Sequence, residues 1–241
     1  MISIIIPTLE EEKAISSTLA SLKSQLSLPH EIIVSDGGSA DRTAELARAW
    51  ADKVVVHDLS ARQTISQGRN RGAERAAGDL LVFLDADCTV PDPDRFFTRA
   101  IARFETDAQL LGLTCNLRFV AGTETLADKI VLGLENAIVR FNNNTLGRGD
   151  SAGGEFQMIR ASAFRAVGGY REDLVTCEDR EIFRRLARVG RTRFEPALTV
   201  FHSGRRVHTV GWPRLIVLFI LNTLSLGFRG RVVSKEWEPV R

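Results

Sequence analysis

The chain has 241 residues, 44% hydrophobic and 26% charged, which suits one compact α/β domain with a real core and a short appendage. A formal net charge of +2 argues against a nucleic-acid binder working through bulk charge. That charge is uneven: residues 202–241 carry +5 and the remainder −3, so a basic tail follows a mildly acidic body and points toward an anionic surface or ligand.

Residues 2–6 are a β-branched run closed by Pro7, a buried strand. Ile15, Leu19, Leu22 and Leu26 follow at helical spacing, with Glu10, Glu11 and Glu12 at the favourable end of the helix dipole. A second strand over 31–35 leads into the turn Asp36-Gly37-Gly38-Ser39. Then come a helix over 42–50, a strand over 53–57, a helix over 61–77 stopped by Gly78, and a strand over 80–84 that delivers Asp85-Ala86-Asp87. This alternation predicts a parallel, helix-covered sheet. Ligands of such sheets sit beyond the carboxyl ends of the strands, where Asp36, Asp85 and Asp87 all fall.

The second half is less regular. Residues 110–120 read as a strand, 126–141 as a helix, and 142–154, rich in Asn and Gly, as a mobile loop that closes over a ligand. A strand over 156–159 and a helix over 178–189 follow, the latter with Ile182, Leu186 and Val189 on one face and Gly190 as its stop. Cys88, Cys115 and Cys177 form no Cys-x-x-Cys pair, and the first residues lack the features of a signal peptide. The expectation is a cytoplasmic protein with reduced thiols.

Two carboxylates one residue apart at a strand end, Asp85 and Asp87, suit Mg²⁺ or Mn²⁺ holding a diphosphate, though Asp-rich surface turns are common too. Five further pieces stand in order around them: Pro7-Thr8-Leu9-Glu10 after the first strand, Ser35-Asp36-Gly37-Gly38-Ser39, Gly68-Arg69-Asn70-Arg71-Gly72, Gly153-Gly154, and Glu178-Asp179. With this ordered set the chain resembles a family 2 glycosyltransferase of GT-A fold over residues 2–205.

The resemblance implies an α/β domain with a Rossmann-like, mostly parallel sheet. Residues 1–90 would form its nucleotide-binding half and 91–205 its acceptor-binding half, with a C-terminal amphipathic segment over 206–241. It implies inverting, non-processive transfer of one sugar from a nucleoside diphosphate sugar to a hydroxyl acceptor, a glycan or a polyprenyl-linked lipid. Pro7, Thr8, Glu10, Asp36, Arg69, Asn70 and Asp85 would bind the donor. Asp85, Asp87 and His202 would hold the metal, and Gly153, Gly154 and Glu178 would meet the acceptor. Asp179 would be the base that takes the acceptor proton.

Plainer readings stand beside these. Asp36 suits an Asx turn, Arg69 and Arg71 an exposed helix surface, and Glu178 and Asp179 a helix start capped by Thr176. The Ser35-Asp36-Gly37-Gly38 run departs from the commoner Asp-Asp-Gly-Ser form and leaves the base preference open. Two alternatives from other classes are a non-catalytic nucleotide-sugar or carbohydrate-binding module and a sugar nucleotidylyltransferase. The latter would want a Gly-rich phosphate loop where Pro7-Thr8-Leu9-Glu10 stands.

Residues 212–228 are largely apolar but too short in their uninterrupted part for a membrane span. With Arg214, Arg229, Arg231, Lys235, Trp212 and Trp237 around them, residues 212–235 suit a helix lying on a membrane surface, here the inner face, or one packed on protein.

Overall fold

In a computed structural model of the chain, described for residues 1–58, 63–151 and 153–234, the β-branched runs become the centre of one sheet. Its strands are β1 (Ile2–Thr8), β2 (His30–Asp36), β3 (Lys53–Val56), β4 (Leu80–Leu84), β5 (Leu110–Phe119), β6 (Phe156–Arg160) and β7 (Arg191–His202). Their order is β3-β2-β1-β4-β6-β5-β7. The pairs β1–β2, β1–β4, β2–β3 and β5–β7 are parallel, whereas β6 runs antiparallel to both β4 and β5.

Period-2 alternation divides the core between the two faces. Ile4, Ile6, Ile32, Val34, Val82 and Leu84 pack on one face, where α1 (Ile15–Gln25) and α4 (Pro93–Thr106) add Leu19, Leu22, Phe97 and Phe104. Ile5, Ile33, Leu81, Phe83 and Ile159 pack on the other, against α6 (Ala161–Ala166) and α7 (Glu178–Leu186). The helix α3 (Ile65–Glu74) lies over β1 on that second face. A Cβ at Gly72 would strike the Ile5 side chain, so glycine sets this close approach.

Antiparallel β6 has a positional consequence. Because its first residue, Phe156, pairs with Leu84, Gly154 and Glu155 arrive at the sheet edge where β4 ends. The parallel partners β5 and β7 end there too, with Phe119 opposite His202. Residues far apart in sequence, from the end of β1 to His202, thus converge on one rim.

Several boundaries differ from expectation. The helix predicted over 61–77 is described from Ile65, where Thr64 and Gln67 form a capping box; residues 61 and 62 lie outside the described residues. Helix α5 (Leu126–Asn144) takes in Asn142–Asn144, the start of the expected mobile loop. Helix α7 ends at Leu186, and Val189 is exposed.

The small helices α2 (Thr43–Arg48) and α8 (Arg205–Val210) fill connections. The tail forms α9 (Trp212–Arg229), closed by Gly230 in the left-handed region. Among the described residues no helix is long and apolar enough to cross a membrane. Lys235 and Trp237, counted above in the tail's charged and aromatic flank, lie outside the described residues. All three cysteines are free and buried.

Candidate active site

A cleft of about 630 Å³ follows the rim formed by the strand ends. Pro7, Thr8 and Gly37 line it at the β1/β2 side, Asp85, Asp87, Glu178 and Asp179 at its middle, and Leu117, Phe119 and His202 at the β5/β7 side.

The middle is organised by Arg69. Its side chain is only 1% exposed, yet it carries a charge. Nη1 donates to Glu178 Oε1 at 2.7 Å, and Nη2 donates to Asp85 Oδ1 at 3.1 Å and to the Gly154 carbonyl at 2.9 Å. The guanidinium also lies 5.4 Å from the centroid of the Tyr170 ring. Burial works against its charge, and the flanking Asp85 and Glu178 carboxylates more than offset this, so Arg69 stays protonated. Arg69 is therefore not an exposed helix arginine: its two terminal nitrogens are engaged by Glu178, Asp85 and the Gly154 carbonyl, while its buried Nε has no partner. Gly154 fits the same arrangement. A Cβ there would strike the guanidinium, so its close approach is to Arg69.

Glu178 and Asp179 open α7. The expected cap at Thr176 is replaced by Cys177, which sits at the N-cap with left-handed backbone (φ 61°) and no side-chain cap. Asp179 is buried, and its backbone carbonyl accepts from Gln157 Nε2 at 3.0 Å. Burial, and then the neighbouring Glu178 carboxylate, push the Asp179 carboxyl up to about 7.

Asp87 is held from the opposite side. Its Oδ2 accepts from the Ser203 hydroxyl and from Arg205 Nη2, the latter at 3.2 Å. Arg205 also donates to both oxygens of Glu11 at 2.9 Å. His202 packs edge-on against Phe119, ring centroids 4.7 Å apart, with Nδ1 3.7 Å from Glu155 Oε1. Burial lowers its pKa to about 4 against the pull of Asp87, so the imidazole is neutral, and its buried Nε2 has no partner. Burial raises the Glu155 carboxyl well above the usual range, and its Oε2 is likewise unpartnered.

Among the described residues no three His, Cys, Asp or Glu side chains are gathered into a ready metal site. Asp85 and Asp87 each spend an oxygen on a guanidinium instead.

Three residues expected at the donor site, Asp36, Asn70 and Glu10, are not among those lining the cleft. Asp36 is 1% exposed, and its carboxylate accepts from Thr8 Oγ1, from the Gly38 and Ser39 amides and from Ser39 Oγ. This is the Asx-turn arrangement. Asn70 bridges α3 to the segment after α6, with Nδ2 donating to the Tyr170 carbonyl and to Glu172 and Oδ1 accepting from the Tyr170 amide. One residue on from Arg69, it is turned about 100° around the helix and does not share its face. Glu10 occupies the turn after β1 at φ 55°, with its amide on Ser39 Oγ. Of that acidic run, Glu11 lines the cleft.

The loop expected to be mobile is tied down where it is described. Asn143 bonds both the amide and the carbonyl of Asp150, Asn142 donates to the Asp150 carboxylate, and Arg180 bridges Asp150 and Glu135. Ala152 lies outside the described residues. Sequence reading missed Glu11, Glu155, Arg180 and Ser203. The only available signal was their closeness to motifs already marked.

With this geometry in hand, comparison with known proteins is informative. Residues 3–168 match the model of glycosyl transferase family 2. The succinoglycan biosynthesis protein ExoA of Rhizobium meliloti is 31% identical over 194 residues, covering 78% of this chain and 58% of that protein. The 4,4'-diaponeurosporenoate glycosyltransferase of Staphylococcus haemolyticus is 44% identical over 90 residues, 36% of this chain and 24% of that one. The chain thus spans less than two thirds of the length of these relatives.

Among solved structures, the mannosyltransferase PcManGT from Pyrobaculum calidifontis, in complex with GDP-Man and Mn²⁺, superposes with a TM-score of 0.74 at 18% identity. The match covers 95% of this chain and 64% of that one. Glucosyl-3-phosphoglycerate synthase from Mycobacterium tuberculosis, with Mn²⁺, UDP and glucosyl-3-phosphoglycerate, gives 0.59 at 21% identity, covering 92% and 78%. These likenesses show the GT-A fold, and the family match extends over more than half the chain: it belongs to glycosyl transferase family 2.

Proposed function

We propose that the chain transfers one sugar, with inversion, from a nucleoside diphosphate sugar to a hydroxyl acceptor. The carrying observation is the placement of Asp179, a carboxyl held near neutrality, in the same cleft as Asp85 and Asp87. Residues 1–90 supply the donor side and 91–205 the acceptor side. Pro7, Thr8 and Gly37 offer backbone and hydroxyl groups to the nucleoside, while Asp36 shapes that turn from behind.

The donor set fits a hard divalent cation, Mg²⁺ or Mn²⁺: two carboxylates facing the cleft and a neutral imidazole whose Nε2 has no protein partner. Asp85, Asp87 and His202 would hold it, and Asp87 would have to leave Arg205 to do so. When bound, the cation offsets the charge that builds on the leaving diphosphate. Asp179, ionised, accepts the proton of the attacking hydroxyl. Glu178, anchored by Arg69, orients α7 so that the base faces the cleft.

Peripheral membrane contact through residues 212–235 is supported by the exposed Ile216, Ile220, Leu224 and Phe228 on α9 beside Arg214 and Arg229. Loss of liposome flotation on removing this segment tests it.

The test of function is calorimetric titration with UDP, GDP, CDP and dTDP, each with Mn²⁺ and with EDTA, on wild type and Asp87→Ala. One nucleotide binding only with metal and only to wild type is expected. Binding unaffected by EDTA would refute the metal-diphosphate site. Turnover releasing pyrophosphate would favour the nucleotidylyltransferase reading, and binding with no turnover on any acceptor would favour the binding-module reading.

A further inference from the structure

The β5/β7 end of the cleft differs in character from the rest. Leu117, Leu132, Val175, Trp212, Leu215 and Phe219 wall it, drawn from β5, α5, the segment before α7, and α9. A nucleoside diphosphate sugar carries no hydrocarbon chain, and the proposal above already seats it along the β1/β2 and middle parts of the rim.

The two helices that form this wall are held together by a built joint. Asp128, buried in the first turn of α5, accepts from Trp212 Nε1 at 2.6 Å and is 3.2 Å from His208 Nε2. Burial opposes the Asp128 charge, and hydrogen bonds from Thr125, Trp212 and His208 more than offset it, bringing its pKa down to about 2. The Trp212 indole stacks on Phe119 with centroids 6.2 Å apart at 18°. The apolar wall is therefore fixed in place and continuous with the chamber that holds Asp179.

Resting on the transferase reading above, we infer that this end of the cleft is the seat of a single apolar chain carried by the acceptor. The acceptor is then an amphiphile that lays a hydrocarbon segment between α5 and α9 and presents its hydroxyl to Asp179. Two features support that occupant: continuity with the catalytic chamber and the apolar lining.

The experiment uses the full chain with Trp50→Phe and Trp237→Phe, leaving Trp212 as the sole tryptophan. Methyl, hexyl and octyl β-glucosides are titrated below micellar concentration, without nucleotide, and Trp212 fluorescence is followed. The octyl compound is expected to bind about tenfold or more tighter than the methyl compound, since each buried methylene favours binding. Two variants change the groove in opposite ways: Phe219→Asp makes it polar and Leu132→Phe narrows it while leaving Trp212 as the sole tryptophan. Both should abolish the chain-length gain while leaving nucleotide binding at wild-type strength, which also shows that they fold.

Affinity independent of chain length, or a gain that survives both substitutions, overturns the inference. So does binding to vesicles with none to monomeric glucosides, which would assign the surface to a bilayer. Absence of nucleotide binding in every protein would instead defeat the transferase reading, and the chain-length series would still decide the groove.

Discussion

Arg69 and Glu178 form an ion pair at 2.7 Å across 109 positions of sequence, with the guanidinium almost wholly out of solvent. Through it the strand-end acid Asp85 and helix α7 share one cation. Replacing Arg69 by Met would leave two carboxylates uncompensated at the floor of the cleft. The expected cost is about 3–5 kcal/mol, measured by urea denaturation. Arg69→Lys should recover only part of it, because one ammonium cannot reproduce the forked donors. A loss below about 1 kcal/mol would show that the pair does not organise the site.

Gly154→Ala places a methyl against that same guanidinium, which its partners prevent from moving aside. A destabilisation of about 1–3 kcal/mol is expected. In the double variant with Arg69→Met the penalty should shrink, since the obstructed group is gone. Strict additivity would place the clash elsewhere.

Asp179 makes two linked predictions. As the base it must be ionised, so turnover should rise with pH through about 7 and then level off, and Asp179→Asn should reduce it by a factor of about 10² or more. Stability runs the other way. A carboxyl whose folded pKa lies above its ordinary 3.8 stabilises the fold at low pH, and that stability is lost as pH rises through about 7. Asp179→Asn should therefore melt higher than wild type at pH 8, with the gap closing toward pH 4. Equal melting temperatures at both pH values would contradict the buried-acid assignment.

Arg205 occupies Asp87 and, if Asp87 holds a cation as proposed, competes with it. Its removal in Arg205→Ala should strengthen Mn²⁺ binding in the absence of nucleotide, by about threefold to tenfold, as read from the loss of the free-ion electron paramagnetic resonance signal. Unchanged or weaker metal binding would mean that the guanidinium is not the obstacle. Tail deletion is no substitute for this variant, because Trp212 also braces α5.

Much of the β1–β4 half was readable because local rules and the global fold agree there. The run at residues 2–6, the Asp36 turn and the strand carrying Asp85 each announce themselves by period, turn chemistry and apolar content. The strand β6 was legible as a strand but not as an antiparallel insertion, since direction depends on its partners. The burial of Arg69 was illegible for a similar reason: a charged residue on a short helix looks solvated until Glu178, over a hundred positions later, is seen to meet it. The asparagines at 142–144 resemble a loop by composition, but their side chains cap and cross-link Asp150 and Phe194, which lets α5 run through them. Glu11 rather than Glu10 faces the cleft because the left-handed backbone at Glu10 swings the next side chain inward.

The link between Glu11 and Arg205 spans 194 positions, nearly the full described length. Closing so long a loop carries a large entropic cost, so such a contact is favoured only after intervening strands have docked. The sheet order sharpens the point, because β7 lies at the far end from β1 and reaches it only across β4, β6 and β5. The acids that follow β4 need no residue of β7 to reach the rim, whereas the arginine that holds one of them does. A chain that stopped before β7 would leave Asp87 without Ser203 and Arg205, while Asp85 would keep its partner Arg69.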